Sequence, residues 1–306
     1  MIKAVFAMAA VAASALLVAA NGSASPPAPN VTCSQLTQTF SGTAHDLTVP
    51  ANGYCDIENA TITHDLIVQH DSGGDLTNST VGHDALYGDG SGGGITNSTI
   101  GGDLRLTSDG GADLFESAIG HDVIAGIHTE LHFAASQIGH DVIANQPDTV
   151  QTGANDPTDV GHVQVGNDFI VKGSPGPPDP GAFVFDGMCD LSVGQDLRIT
   201  DRWVTLGIGL GDNCAFNGRG PVTVGRDLVF SRNQALTGFF GPGELELGGV
   251  TVGRNLTVTG NSATGLIEVA DNTVAGDATC RDNSPAASFD VFDGPNNIAG
   301  KNNGCP

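Results

Sequence analysis

Histidine stands directly before the recurring aspartate of a repeat at five points, His45, His64, His83, His121 and His140, which precede Asp46, Asp65, Asp84, Asp122 and Asp141. A row of imidazoles beside a row of carboxylates is a donor set for a borderline divalent metal such as Zn²⁺ or Cu²⁺. Further along, the histidine position drifts to Asn167, Gln195, Arg226 and Arg254, so the same place in the repeat also serves as an ordinary solvent-facing corner. The aspartates taken alone, stacked at strand spacing, would repel one another, and Ca²⁺ would relieve that repulsion. An aspartate at a tight corner also accepts backbone N–H groups, and the presence of Asn255 in the series favours hydrogen bonding over charge. A second group, Asp186, Asp190, Asp196, Asp201 and Asp227 with Arg198 and Arg202, has the residue types of acid–base cleavage of a polysaccharide. No Ser/His/Asp or Cys/His set stands in a diagnostic sequence context.

The element that positions these groups is an internal repeat of the form apolar-Gly-x-Asp/Asn-apolar. Its anchors are Asp46, Asp65, Asp84, Asp103, Asp122, Asp141, Asp168, Asp196, Asp227, Asn255 and Asp277, with Asn302 as a twelfth. The first five intervals are all 19 residues, and the later ones run 27, 28, 31, 28, 22 and 25. Three steps before the anchors stands a β-branched column, among it Ile62, Val81, Ile100, Val165, Val224 and Val274, which favours strands over helix. Leu47, Leu66, Leu104, Phe169 and Leu228 follow the anchors by one step, and Ile57, Leu76, Ile95, Leu114 and Phe133 by eleven. These read as inward columns. Glycine two steps before the anchor, as at Gly82, Gly120 and Gly194, suits a left-handed or crowded corner. Asn59, Asn78 and Asn97 recur thirteen steps after successive anchors and predict an asparagine ladder from coil to coil. An outward threonine column holds Thr61, Thr80, Thr99, Thr223, Thr251 and Thr273.

A 19-residue unit without a 3.6-residue period cannot bury its own apolar face, so each unit stacks on the next. The expected fold is all-β, a single-stranded parallel β-helix (β-solenoid) of about 11–12 coils stapled by coil disulfides. Its handedness does not follow from these residues. Residues 33–145 form the regular half. Residues 146–306 form the longer-coil half, whose insertions include the proline-rich stretch 174–181, which cannot continue a ladder.

The chain has 306 residues, 39% hydrophobic and 15% charged, with 44 glycines and a net charge of −23. Such charge repels phosphate backbones and anionic lipid, which excludes nucleic acid as a partner. Residues 1–24 read as a secretory signal peptide, with Lys3 before an apolar run from Ala4 to Ala20, and 25–32 as a linker. No later stretch is apolar enough for a transmembrane segment. Export to an oxidising compartment suits the six cysteines, Cys33, Cys55, Cys189, Cys214, Cys280 and Cys305. Residues one coil apart fall within disulfide reach, so the pairs expected are Cys33 with Cys55, Cys189 with Cys214, and Cys280 with Cys305. There is no CxxC spacing for zinc.

The repeated VGxDL and VGxNL units, such as VGQDL at 193–197, VGRDL at 224–228 and VGRNL at 252–256, resemble those of secreted bacterial parallel β-helix repeat proteins. More distantly they resemble bactofilin-type and pectate-lyase-like β-solenoids. The resemblance implies architecture rather than activity. Together these features lead to an exported, non-catalytic scaffold or adhesive protein of the cell surface or matrix, extracellular, with a surface glycan or a second copy of itself as partner. The alternative is a carbohydrate-active β-helix enzyme, a polysaccharide lyase or hydrolase. Arg202, Trp203, Phe239 and Phe240, in the longer coils, are the candidate binding-loop residues. No cofactor is expected beyond Ca²⁺ at the aspartate column.

Overall fold

The computed structural model describes residues 27–34, 38–153, 162–174, 185–205, 207–211, 220–237, 241–288 and 294–306. The signal-peptide residues 1–24, Cys214, Phe239, Phe240 and residues 175–181 of the proline-rich stretch lie outside them.

Each 19-residue coil contributes three short strands, exemplified by Thr61–Ile62, Leu66–Val68 and Gly73–Thr77. Repetition builds three long parallel sheets, called here sheets 1, 2 and 3 in the order a coil visits them, of 12, 13 and 11 strands. Thirteen strands at about 4.8 Å make a rod on the order of 60 Å long. Strand pairing starts at Val31–Thr32, opposite Leu47 and Thr48. The fold is therefore the parallel β-solenoid that the 19-residue period predicts.

The register follows the repeat. Thr61 and Ile62 lie opposite Thr80 and Val81, and Leu66 to Val68 opposite Ala85 to Tyr87. The three apolar columns point inward: Ile62, Leu66 and Leu76 are fully buried, as are their counterparts Ile100, Leu104 and Ile95. One continuous core runs from Cys33 to Cys305. Each such Leu or Ile contributes roughly 1.5–3 kcal/mol of burial, which no single coil could collect alone.

The corners use two devices. At the corner between sheets 1 and 2, the repeat glycine is crowded rather than left-handed: a Cβ on Gly120 would lie 2.2 Å from the Gly101 carbonyl oxygen of the preceding coil. The other two corners carry the left-handed residues, in columns that include Asn59, Asn78 and Asn97 (φ 51°, 49° and 47°) and Asn52, Asp71 and Asp109. Asn59, Asn78 and Asn97 are exposed, so the expected asparagine ladder is not formed there. Asparagine occupies these positions because its short polar side chain tolerates the left-handed conformation. The ladder is carried one residue later, by inward serines: Ser79 N–H donates to Ser98 Oγ (3.1 Å), Ser98 to Ser117 and Ser117 to Ser136 (both 3.2 Å).

Disulfides join Cys33 to Cys55 and Cys280 to Cys305. Cys189 is also disulfide-bonded. The Cys33–Cys55 pair has the expected partners but not the expected geometry. Cys33 follows a strand of sheet 2 and Cys55 lies in sheet 3 (Tyr54–Glu58), so the bond crosses the buried interior, with both residues at most 2% exposed.

Candidate functional site

The anchor aspartates form one continuous ladder. From Asp46 to Asn255 each Oδ1 accepts the backbone N–H of the next anchor, for example Asp84 from Asp103 (2.9 Å), Asp103 from Asp122 (3.1 Å), Asp168 from Asp196 (3.0 Å) and Asp227 from Asn255 (3.2 Å). Asp277 accepts the Lys301 N–H (2.8 Å), so Lys301 rather than Asn302 holds the twelfth position. Asn255 does the same for Asp277 at 3.1 Å, which shows that a neutral oxygen suffices. This is the hydrogen-bonding role expected for the column. Its consequence is that one oxygen of each carboxylate is committed to the fold.

On this ladder the histidines stand as two separate groups. His45, His64 and His83 occupy three successive coils, with ring centroids 5.1 Å apart at each step and the second pair stacked within 3° of parallel. His121 and His140 stack likewise at 5.0 Å, but Gly102 takes the histidine position in the coil between the groups. In the first group the rings face carboxylates closely. His64 Nδ1 lies 2.9 Å from Asp46 Oδ1 and 3.3 Å from Asp65 Oδ2, and His83 Nδ1 lies 2.8 Å from Asp65 Oδ1. In the second group the corresponding distances, His121 to Asp103 and His140 to Asp122, are both 3.9 Å. The hydrogen bond to Asp65 and the negative charge of Asp84 raise the pKa of His83 above its ordinary value. Asp46 is held below the usual carboxylate range by its hydrogen bonds from His64 and the Asp65 N–H.

Elsewhere the anchors are paired with arginine. Arg105 Nη2 lies 2.6 Å from Asp103, Arg198 Nη2 lies 2.7 Å from Asp196, and Arg254 chelates Asp227. Asp89, in the glycine-rich segment 88–94, accepts hydroxyls from Thr107 (2.6 Å) and Ser108 (2.8 Å). Asp109, His128, Glu130 and Asp148 line an open acidic recess of about 440 Å³, with His128 Nδ1 3.1 Å from Asp148.

The second acid group does not converge. Asp196 and Asp227 sit in the anchor ladder between sheets 1 and 2, whereas Asp201 and Asp190 are left-handed residues at the other two corners. Asp186 lies in sheet 3, 1% exposed, and forms a bidentate pair with Arg202, whose Nε and Nη2 each approach it at 2.7 Å. Arg202 also donates to the Pro147 carbonyl, and Asp186 accepts the Val150 N–H at 3.0 Å. Arg202 is only 2% exposed, which corrects its assignment as a binding-loop residue. A guanidinium with five donors was needed here to satisfy carbonyls that an irregular coil leaves inside. Trp203 is half-buried and pairs with Gln234 in a small extra sheet made by Trp203–Val204, Gln234–Ala235 and Ser262–Ala263.

Two features were not anticipated. The outward column of sheet 1, of which the threonines are part, borders a shallow groove of about 600 Å³ spanning five coils. Thr99, Gln137, Gln164 and Ser192 form its polar rim, and glycines from Gly101 to Gly194 open its side. At the far end, His162 Nε2 lies 2.7 Å from Ser192 Oγ and its Nδ1 2.7 Å from Asp190 Oδ1. This Ser–His–Asp relay joins residues 28 and 30 positions apart, and no repeat-based reading flags it, because His162 falls outside the histidine column. The neighbouring backbone donors are already used: Leu191 N–H bonds Pro221, Gly194 bonds Val165, and Gln195 bonds Asn167.

The molecule thus belongs to the class of disulfide-stapled parallel β-solenoids. Compared with known proteins, the chain matches no family model, no curated protein and no solved structure. Among the described residues no helix is long and apolar enough to cross a membrane.

Proposed function

We propose that the protein is an exported, non-catalytic scaffold of the cell surface or matrix that holds an extended glycan along sheet 1. The observation that carries this reading is the groove of about 600 Å³ with its rim of hydroxyl and amide side chains on a flat, in-register face. Thr99, Gln137, Gln164 and Ser192, with Ala118 between the first two, present donors and acceptors at the coil spacing along a largely apolar, uncharged groove, a combination that suits a sugar polymer. The stapled coils support an oxidising, extracellular setting. The test is binding of the mature, disulfide-intact protein to a panel of glycans and surface polymers. Selective binding that falls at least tenfold in Gln137→Ala/Gln164→Ala supports the reading, and binding that ignores both substitutions overturns it.

A second reading, a carbohydrate-active enzyme, draws on the Ser192–His162–Asp190 relay at the end of the same groove. It is ranked second because, among the described residues, the backbone N–H groups of Leu191, Gly194 and Gln195 are spent on the ladder rather than aimed at a developing oxyanion. Release of acetate from an acetylated polysaccharide by the native protein but not by Ser192→Ala would reverse the ranking.

A further inference from the structure

We propose that the first-half corner binds one divalent transition-metal ion, of the Zn²⁺ or Cu²⁺ kind, through His64, Asp65 and His83. Three observations converge there. Asp65 presents its two oxygens to two imidazoles in adjacent coils, Oδ2 to His64 at 3.3 Å and Oδ1 to His83 at 2.8 Å. The two rings stack within 3° of parallel, and the Nδ1 atom of each lies within 3.3 Å of an Asp65 oxygen. The three donor atoms lie within 4.8 Å of one another. Ligand bonds of about 2.0–2.2 Å span about 4.2 Å across an ion, so donors this close together can share one after a small side-chain adjustment. The histidine side chains are 47% and 57% exposed, free enough to make that adjustment and open enough to leave water on the remaining positions.

Electrostatics select this corner over its repeats. At Asp103, Asp196 and Asp227 an arginine already neutralises the anchor. At Asp65 the side-chain partners are the two imidazoles, beside the Asp84 N–H that its Oδ1 accepts at 3.1 Å, in a chain of net charge −23. Two neutral imidazoles and one carboxylate match the ligand preferences of zinc and copper, not those of calcium. A neighbouring trio, His45, Asp46 and His64, also meets the distance condition but shares His64 Nδ1. One imidazole nitrogen holds one ion, so the two trios compete and the corner takes a single equivalent. The His64–Asp65–His83 trio is preferred because its rings are parallel, whereas His45 and His64 are inclined by 68°. Binding there costs the 2.9 Å hydrogen bond from His64 to Asp46.

The test is equilibrium dialysis of the mature, chelator-treated protein against ZnCl₂ at pH 7.5, with thermal melting of every variant alongside. The native protein should retain one equivalent at micromolar free zinc. His64→Gln and His83→Gln should each weaken retention at least tenfold, and His140→Gln should leave it unchanged. Asp65→Asn should also weaken it while leaving the melting temperature near native, because Asn255 shows that an amide oxygen sustains the ladder. No zinc retained at 100 μM overturns the proposal. So does retention that survives His83→Gln, or that is lost in His45→Gln or His140→Gln.

Discussion

The two halves of the rod solve the same problem, closing a corner once per coil without leaving a buried polar group alone, with different side chains. In the regular half the inward corner residue is serine, one hydroxyl per coil from Ser79 to Ser136. In the longer half it is asparagine, at the same corner in Asn272 and Asn296 and at the corner after sheet 2 in Asn233, Asn261 and Asn283. Asn233 N–H donates to Asn261 Oδ1 and Asn261 N–H to Asn283 Oδ1, both at 3.0 Å, while Asn261 Nδ2 bonds the Phe230 carbonyl at 3.0 Å. A second amide rung joins Asn272 to Asn296 at 3.1 Å. In both halves a left-handed residue precedes the ladder residue, Asn78 before Ser79 and Arg232 before Asn233. The comparison teaches that a serine hydroxyl accepts one N–H and donates one hydrogen, as Ser98 does to the Thr96 carbonyl at 2.8 Å, whereas the amide of the longer coils has a second N–H, through which Asn261 Nδ2 also bonds Asn283 Oδ1 at 3.0 Å. Where even that fails, the buried Arg202–Asp186 pair fills in.

The sharpest way to break this comparison is to remove that pair. Asp186→Ala leaves a guanidinium buried and unpaired, and it should cost about 3–5 kcal/mol, read as lost amide-exchange protection in the longer half while the regular half stays protected. Equal loss in both halves would mean that the rod unfolds as one unit. A corner common to both halves comes next: Gly120→Ala and Gly253→Ala each force a Cβ to 2.2 Å from a backbone carbonyl oxygen one coil away. Each should cost roughly 1–3 kcal/mol, by similar amounts, in thermal melting. The ladders themselves are then separable. Asn261→Ala loses one accepted and two donated bonds and should cost about 2 kcal/mol, against about 1 kcal/mol for Ser98→Ala, which loses one of each. Equal values would remove the distinction drawn between the two kinds of corner.

The smallest effect concerns pH and is confined to the regular half. Because the pKa of His83 is raised in the folded state, its contribution is fully present below the unfolded value of about 6.5 and is lost as pH rises through the folded one. A ring-proton titration should place the His83 midpoint above that unfolded value, and Asp65→Asn should bring it down.

Much of this was legible in the residues because a solenoid writes its register in the period. Five equal spacings placed the inward columns and the anchor ladder, and the one-coil separation of the cysteines placed the pairs Cys33–Cys55 and Cys280–Cys305. What misled was reading a column by residue type alone. Asn59, Asn78 and Asn97 recur for their backbone conformation, and the bonding passes to the neighbouring serines. Arg202, chosen as a surface contact because it lies in a long coil, is turned inward by carbonyls that only the folded coil exposes to it. The relay of His162, Asp190 and Ser192 escaped because an irregular interval separates its members, so no column contains it.

The sequence by itself determined that the chain is a stack of parallel coils, which columns fill the core and that the anchors bond through oxygen rather than charge. The reason is that translation by one repeat carries each residue onto its own partner. Tertiary structure alone decided that Cys33 reaches Cys55 across the interior, that the two histidine groups stand at different distances from carboxylate, and that a groove with a polar rim runs along sheet 1. Those outcomes depend on the direction in which side chains leave the corners and on which neighbours have already claimed each oxygen, and neither quantity repeats with the period.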